Sequence, residues 1–209
     1  MIFNHNLLYW IFAALFSLTC VAEEEELIRQ SLSKLENSSL YRSLGIRITF
    51  KYFDDVAWLS VRLRPAASDA LIGDIDYNVH GYDTFLTDID NLRTSLKDSL
   101  TSGDINKDTF IKQTSVIDDF ASKVNKNNLA YVIGVGVMPD YRGKGLSYPL
   151  ICNTLQILKD VFHKSYVYLL DIAEIPDYYK KMGFKYLGGK LKYGLIDELL
   201  SGPKCKTEI

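Results

Sequence analysis

The chain has 209 residues, 47% of them apolar and 24% charged, so a sizeable core is available and wholesale disorder is excluded. Its 24 basic and 26 acidic side chains give a formal charge of −2, too weak an overall field to argue for a nucleic-acid partner. Three cysteines, Cys20, Cys152 and Cys205, exclude a dense disulfide scaffold. Neither they nor the three histidines show ligand spacing, so no metal site is expected.

Leu7 to Phe16 is an unbroken apolar run, too short for an ordinary membrane span of roughly 20 residues. Cys20 and Ala22 stand three and one places before a possible cut ahead of Glu23, as in a signal peptide, although Met1 to Asn6 has no Lys or Arg. Residues 1–22 therefore read as an export signal or short membrane anchor, with membrane contact through residues 7–22. The alternative is a hydrophobic first helix docked on the protein. The first reading implies an exported or membrane-associated protein, the second a cytoplasmic one.

From Glu23 to Glu36, Ile28, Leu32 and Leu35 recur at spacings of four and three, which predicts a helix. The period then changes. Ile46, Ile48, Phe50 and Tyr52 alternate with Arg47, Thr49 and Lys51, giving a strand with one wet face. Leu59–Leu63 and Leu71–Val79 alternate in the same way, and the two are expected to pair as an antiparallel hairpin. Gly81 to Asn128 is an acidic block with Phe85, Ile89, Leu92, Leu96 and Leu100 at helical spacing. Gly103 breaks it, and Phe110, Ile117, Phe120 and Val124 mark a second helix. The chain shows no internal repeat and no low-complexity linker, so residues 23–209 are taken as a single domain with a helical insertion at about 81–128.

Tyr131 to Met138 is nearly continuous apolar sequence, the pattern of a central strand covered on both faces. Pro139-Asp140 ends it, Tyr141-Arg142-Gly143-Lys144-Gly145-Leu146-Ser147 follows, and an amphipathic helix carries Leu150, Thr154, Ile157 and Val161 along one side. A strand, a glycine turn and a helix start together aim free backbone N–H groups and a positive helix end at one point. A phosphate or pyrophosphate is the natural ligand, and Arg142 and Lys144 add charge. The charge of the chain agrees: residues 1–139 carry 13 basic and 18 acidic groups, whereas residues 140–209 carry 11 and 8. Two familiar loops fail. Pro139 stands where the dinucleotide fingerprint beginning at Gly134-Val135-Gly136 needs its third glycine, and Lys144 is followed by Gly145 and not by Ser or Thr.

These residues resemble the GCN5-related N-acetyltransferase (GNAT) family. Its pattern places Arg or Gln first, Gly three residues later and Gly or Ala two beyond that. Arg142 and Gly145 match, and Ser147 is a small departure. Tyr178-Tyr179-Lys180-Lys181-Met182-Gly183-Phe184 resembles the late helix and following strand start of the family, with a strand at Tyr166–Leu170 between the two motifs. The resemblance covers roughly residues 130–188. Ile172 stands where the family often has Asn, and the helical block at 81–128 stands where only a short turn is usual.

The resemblance implies a mixed α/β (α+β) acyl-coenzyme A acyltransferase fold, a twisted, mainly antiparallel sheet flanked by helices, in which 131–138 and 166–170 are parallel neighbours. It implies acetyl-coenzyme A as co-substrate and transfer of an acetyl or other short acyl group to a primary amine of a small molecule or protein. Backbone groups of Val137, Arg142, Gly143, Lys144, Gly145, Leu146 and Ser147 would hold the coenzyme. The amide of Gly136 or Val137 would polarise the thioester, and Tyr179, or else Tyr178, would protonate the leaving sulfur. Asp74 and Asp76 share one strand face, either as general-base candidates or as an ordinary solvated pair. Cys152 is expected in the core, with nothing near it to activate a thiolate. Two rival readings are a non-catalytic acyl-coenzyme A-binding or interaction module, and an exported structural or envelope protein that keeps the fold.

Overall fold

The computed structural model describes residues 22–172, 175 and 177–206. The apolar run Leu7–Phe16 and Cys20 lie outside the described residues, so the choice between signal, anchor and docked helix does too. Among the described residues, no helix is long and apolar enough to cross a membrane.

Helix α1 covers residues 22–36, and Ile28, Leu32 and Leu35 are its buried stripe. The short α2 (Ser39–Ser43) buries Tyr41. Strands β1 (Ile46–Phe53), β2 (Trp58–Pro65) and β3 (Gly73–Asn78) then form an antiparallel meander in the expected places. β1 and β2 are joined by a single 3-10 turn, Asp54–Val56. The acidic block is two helices, α3 (Tyr82–Ser102) and α4 (Lys107–Lys123). Gly103 ends α3 in the left-handed region at φ 83°, a conformation that costs glycine little. The Asn106 side chain accepts from the Thr109 amide and so starts α4.

After β4 (Leu129–Val137) come α5 (Ser147–Asp160), β5 (Tyr166–Leu170), α6 (Tyr178–Met182), β6 (Lys185–Gly188), β7 (Leu191–Leu195), α7 (Ile196–Leu200) and α8 (Pro203–Lys206). The seven strands make one sheet in the order β1-β2-β3-β4-β5-β7-β6. Among the described residues only β4 and β5 run parallel. The expected mixed, mainly antiparallel α/β architecture is therefore what forms.

Two apolar clusters cover the sheet. Ala130 and Val167 belong to the cluster with α1 and α5, while their chain neighbours Leu129 and Tyr168 belong to the cluster with α3 and α4. Successive strand residues point to opposite faces, so the clusters lie on opposite sides of the sheet. The α3–α4 pair packs on β4–β7, against Tyr168, Leu187 and Leu191. On that side none of the described helices packs over the polar residues of β1–β3. The strands read upstream of the acidic block hold, and the block itself supplies the second core layer.

Two expectations need correction. β4 is not covered on both faces throughout: Leu129, Ala130 and Val132 are buried, but Ile133 to Val137 are half-buried or exposed. Cys152 is in the core as expected, but it is a disulfide with Cys205 and not a free thiol. The signal for this was parity, because setting Cys20 aside with the leader leaves two cysteines, an even number.

Candidate acyl-coenzyme A site

β4 and β5 pair only from Leu129 with Tyr166 to Val132 with Leu169. Beyond Val132 the two strands part. The parting coincides with a bulge: Asp76 faces Gly134 and Tyr77 faces Val132, so Ile133 is an extra residue in β4. The bulge turns the second half of β4 away from its parallel neighbour. The Met138 amide donates to the Ile72 carbonyl at 2.7 Å. Backbone groups of alternate strand residues point to opposite edges, so Val135 and Val137 direct theirs into the gap that β5 has left, and Gly136 directs its own toward β3. Of the two expected amides, Val137 is therefore the one facing the gap.

The turn after β4 is closed by its own backbone. The Tyr141 amide donates to Met138 and the Arg142 amide to Pro139. Arg142 was expected to offer its amide to a ligand, and that amide is already used. The next five are different: the amides of Gly143, Lys144, Gly145, Leu146 and Ser147 make no backbone hydrogen bond among the described residues. Gly143 and Gly145 have φ of 75° and 78°, which side-chain-bearing residues rarely adopt. Left-handed Gly145 followed by right-handed Leu146 turns successive N–H groups inward as an anion nest, directly ahead of α5. The basic side chains fold back onto the same loop. Arg142 Nε donates to the Val137 carbonyl at 3.0 Å, and the Lys144 ammonium lies 4.6 Å from the Tyr141 ring centroid.

A residue that pattern reading missed fixes this loop from below. The Tyr41 hydroxyl, fully buried, donates to the Leu146 carbonyl at 2.9 Å across 105 residues of sequence. No spacing rule links α2 to the loop, and only the fold brings them together.

Tyr178 and Tyr179 stand on α6, and the Tyr178 ring stacks on Tyr148 in the first turn of α5, with centroids 5.1 Å apart. Both candidate tyrosines thus lie beside the loop. The Tyr178 hydroxyl is buried with no hydrogen-bond partner among the described residues. Burial pushes its pKa up to about 12, with Tyr148 adding to the rise and the nearby Ser147 hydroxyl, which does not reach hydrogen-bonding geometry, opposing it. Tyr179 packs edge-on against Tyr178 and Phe184. Its phenol is also raised, first by burial and then by Tyr178 and Asp171. Both phenols are therefore protonated near neutrality and can donate a proton. A cleft of about 900 Å³ opens beside them, bordered by Phe184, Tyr186 and Lys192. Asp171 at its edge is ion-paired with Lys192 at 2.7 Å, which gives it a structural role.

The wet face of β3 proves more informative than its pattern. Asp74 lies directly across from Gly136 and Asp76 across from Gly134. A Cβ at Gly136 would meet Asp74 Oδ1 at 2.6 Å, so glycine is what allows the carboxylate to stand there. Burial raises the Asp74 pKa above the usual carboxylate range, Asp76 adds to the rise and Arg62 opposes it. Asp76 accepts from Trp58 Nε1 at 3.2 Å. No cluster of three or more metal-ligating side chains occurs among the described residues.

Fold and site together define a class, a mixed α/β protein whose one parallel strand pair is split at a bulge and faces an anion nest at a helix start. No family model matches the chain, and no curated protein does. Similar solved structures include the spermidine/spermine N-acetyltransferase SpeG from Vibrio cholerae, 15% identical, covering 83% of this chain and 92% of that one at a TM-score of 0.41. Another is NAA60 from Arabidopsis thaliana in complex with acetyl-CoA, 19% identical over 73% of this chain and 99% of that one, also at a TM-score of 0.41.

Proposed function

We propose that the chain is a GNAT-type N-acyltransferase that moves an acetyl or other short acyl group from coenzyme A to a primary amine. The observation that carries this reading is the split between β4 and β5, with its edge amides running toward the nest at Gly143–Ser147. A pantetheine arm can pair with β4 as an added strand edge, and its pyrophosphate falls at the nest.

In this reading the residues divide the work as follows. Gly143 to Ser147 hold the pyrophosphate through backbone N–H groups, with Arg142 and Lys144 contributing charge and not amides. The Val137 amide, more than that of Gly136, polarises the thioester carbonyl as negative charge grows on oxygen. The amine lone pair forms a C–N bond to the thioester carbon. The C–S bond breaks, sulfur leaves with the electron pair, and Tyr179, or Tyr178, gives it a proton. Asp74 takes the proton lost from nitrogen.

The buried disulfide bears on location. Such bonds persist in oxidising compartments and are rare in the reducing cytosol. It supports the export or membrane-associated reading of residues 1–22 over the cytoplasmic one, a reading in which acyl-coenzyme A would have to be supplied across a membrane. The same bond is what favours the exported structural protein as a second reading.

The test is titration calorimetry with acetyl-coenzyme A and with dephosphorylated pantetheine, followed by a screen for amine-dependent thiol release. Tighter binding of the coenzyme together with thiol release supports an enzyme. Tight binding without release across a broad amine panel supports the binding module. Equal affinity for the two ligands, or no binding of either, overturns the site.

A further inference from the structure

The face of β1–β4 that none of the described helices covers carries a grid of polar residues set by strand register. One row runs Lys51, Ser60, Asp76, Gly134, and the next runs Thr49, Arg62, Asp74, Gly136. Residues in a row share a face. At the β4 end the two glycines leave the face open toward the split, and no described residue lies within 4 Å of where a Gly134 Cβ would be. At the β1–β2 end a small pocket of about 110 Å³ is bordered by Thr49, Lys51, Ser60, Arg62 and Arg64.

Two features of that pocket are unspent. Ser60 is only 4% exposed, yet its hydroxyl has no hydrogen-bond partner among the described residues. Buried hydroxyls are ordinarily satisfied, so this one is a donor awaiting an acceptor. Arg62 and Asp74 are opposite charges on directly opposed residues, the arrangement that normally pairs. They form no ion pair among the described residues, although Arg62 lowers the Asp74 pKa. Each keeps its charge available to something lying between or above them.

We infer that the acceptor is an aliphatic amine that also carries an anionic group, held with its ammonium at Asp74 and Asp76 and its anion in the Ser60–Arg62–Lys51 pocket. This rests on the acyl-transfer reading and specifies its substrate class. The three cations and two hydroxyls suit a carboxylate or phosphate, and one or two strand spacings separate the pocket from the carboxylates. The nitrogen and the anion are therefore about 5–10 Å apart. A simple α-amino acid is too short, and an alkylamine or diamine lacks the anion. The exposed Trp58 ring, fixed by its bond to Asp76, walls one end of the groove.

The experiment compares ω-aminooctanoate, octylamine and diaminooctane in two assays, thiol release from acetyl-coenzyme A and calorimetry without coenzyme. The readout is the ratio of kcat/KM for ω-aminooctanoate over octylamine. It is expected to exceed tenfold in the wild type, to collapse toward one in Arg62→Gln through KM, and to survive in Arg62→Lys. Ser60→Ala, which removes an unpartnered buried hydroxyl and leaves the fold intact, should lower the ratio by several-fold. A ratio near one in the wild type, or a ratio unmoved by Arg62→Gln, overturns the inference while leaving acyl transfer standing. If no amine releases thiol, calorimetry decides. Binding of ω-aminooctanoate that Arg62→Gln abolishes supports the subsite and sinks the transfer reading. No binding sinks the subsite.

Discussion

Cys152 on α5 and Cys205 on α8 are joined across 53 residues, with their Cα atoms 5.4 Å apart and both side chains buried. The bond ties the end of the chain to the helix that begins at the anion nest. α8 also packs on α6, and Lys204 lies 4.8 Å from the Tyr148 ring centroid. The C-terminal segment thus braces the tyrosines from outside the site.

Closing a loop of that length removes unfolded-state entropy equivalent to about 4 kcal/mol at room temperature. Cys205→Ala should therefore unfold at clearly lower denaturant than the oxidised wild type. Reductant should shift the wild type the same way and leave the variant where it is. A wild-type midpoint insensitive to reductant would show that the bond does not form.

Gly145 lies at φ 78°, and an added Cβ would meet no neighbour within 4 Å. The cost of Gly145→Val is then conformational, of order 1–2 kcal/mol of stability. Its effect on ligand should be larger, because the loop must leave the left-handed region and the amides then no longer converge. Calorimetry should show at least a tenfold loss of acetyl-coenzyme A affinity in a variant that circular dichroism finds folded. Wild-type affinity would move the phosphate site elsewhere.

The two tyrosines give opposite expectations. Tyr178→Phe deletes a buried hydroxyl that has no partner among the described residues and should raise stability by about 1 kcal/mol. Tyr179→Phe should leave coenzyme binding alone and slow the single-turnover transfer step by on the order of 10²-fold, the low end for a positioned acid. Should the loss fall on Tyr178→Phe instead, the acid is Tyr178. Full rates in both would leave protonation of sulfur to water.

Asp74 sets a pH dependence in two directions. Its folded pKa is raised, so the native state holds the proton more tightly than the unfolded chain. The stabilisation from binding that proton is complete below the unfolded pKa and is lost as pH rises through the folded one. Asp74→Asn should accordingly be more stable than the wild type at neutral pH, with a flatter stability profile in the acid range. Activity runs the other way, because the base must be ionised, and transfer should fall as pH drops through the same raised pKa. Gly136→Ala offers a check that keeps the carboxylate but displaces it. The clashing atom is the movable end of the Asp74 side chain, so stability should hold within about 0.5 kcal/mol, while transfer drops at least tenfold at unchanged coenzyme affinity. A wild-type rate in both variants would remove Asp74 from the chemistry.

Much of this protein was legible in its residues because the information was local. Alternation of period two marked β1–β3, and helical spacing marked α1, α3, α4 and α5. Arg142 to Ser147 announced a turn that could hold phosphate, since glycine dihedrals and helix-start amides are properties of a few consecutive residues. What the residues could not reveal depends on register between distant strands. β3 and β4 are separated by the whole α3–α4 helical block, and only their pairing puts Asp74 on Gly136 and makes Ile133 a bulge. The same pairing opens the gap at Val137, which a continuous apolar run had disguised as a fully covered strand. The Tyr41 bond to Leu146 and the Cys152–Cys205 link likewise arise from packing across many tens of residues. Sequence determined which elements form and where a glycine turn meets a helix start; tertiary structure decided which carboxylate, which amide and which hydroxyl border the strand split and the polar face beside it, because a side chain's neighbours across a sheet are set by register and not by its place in the chain.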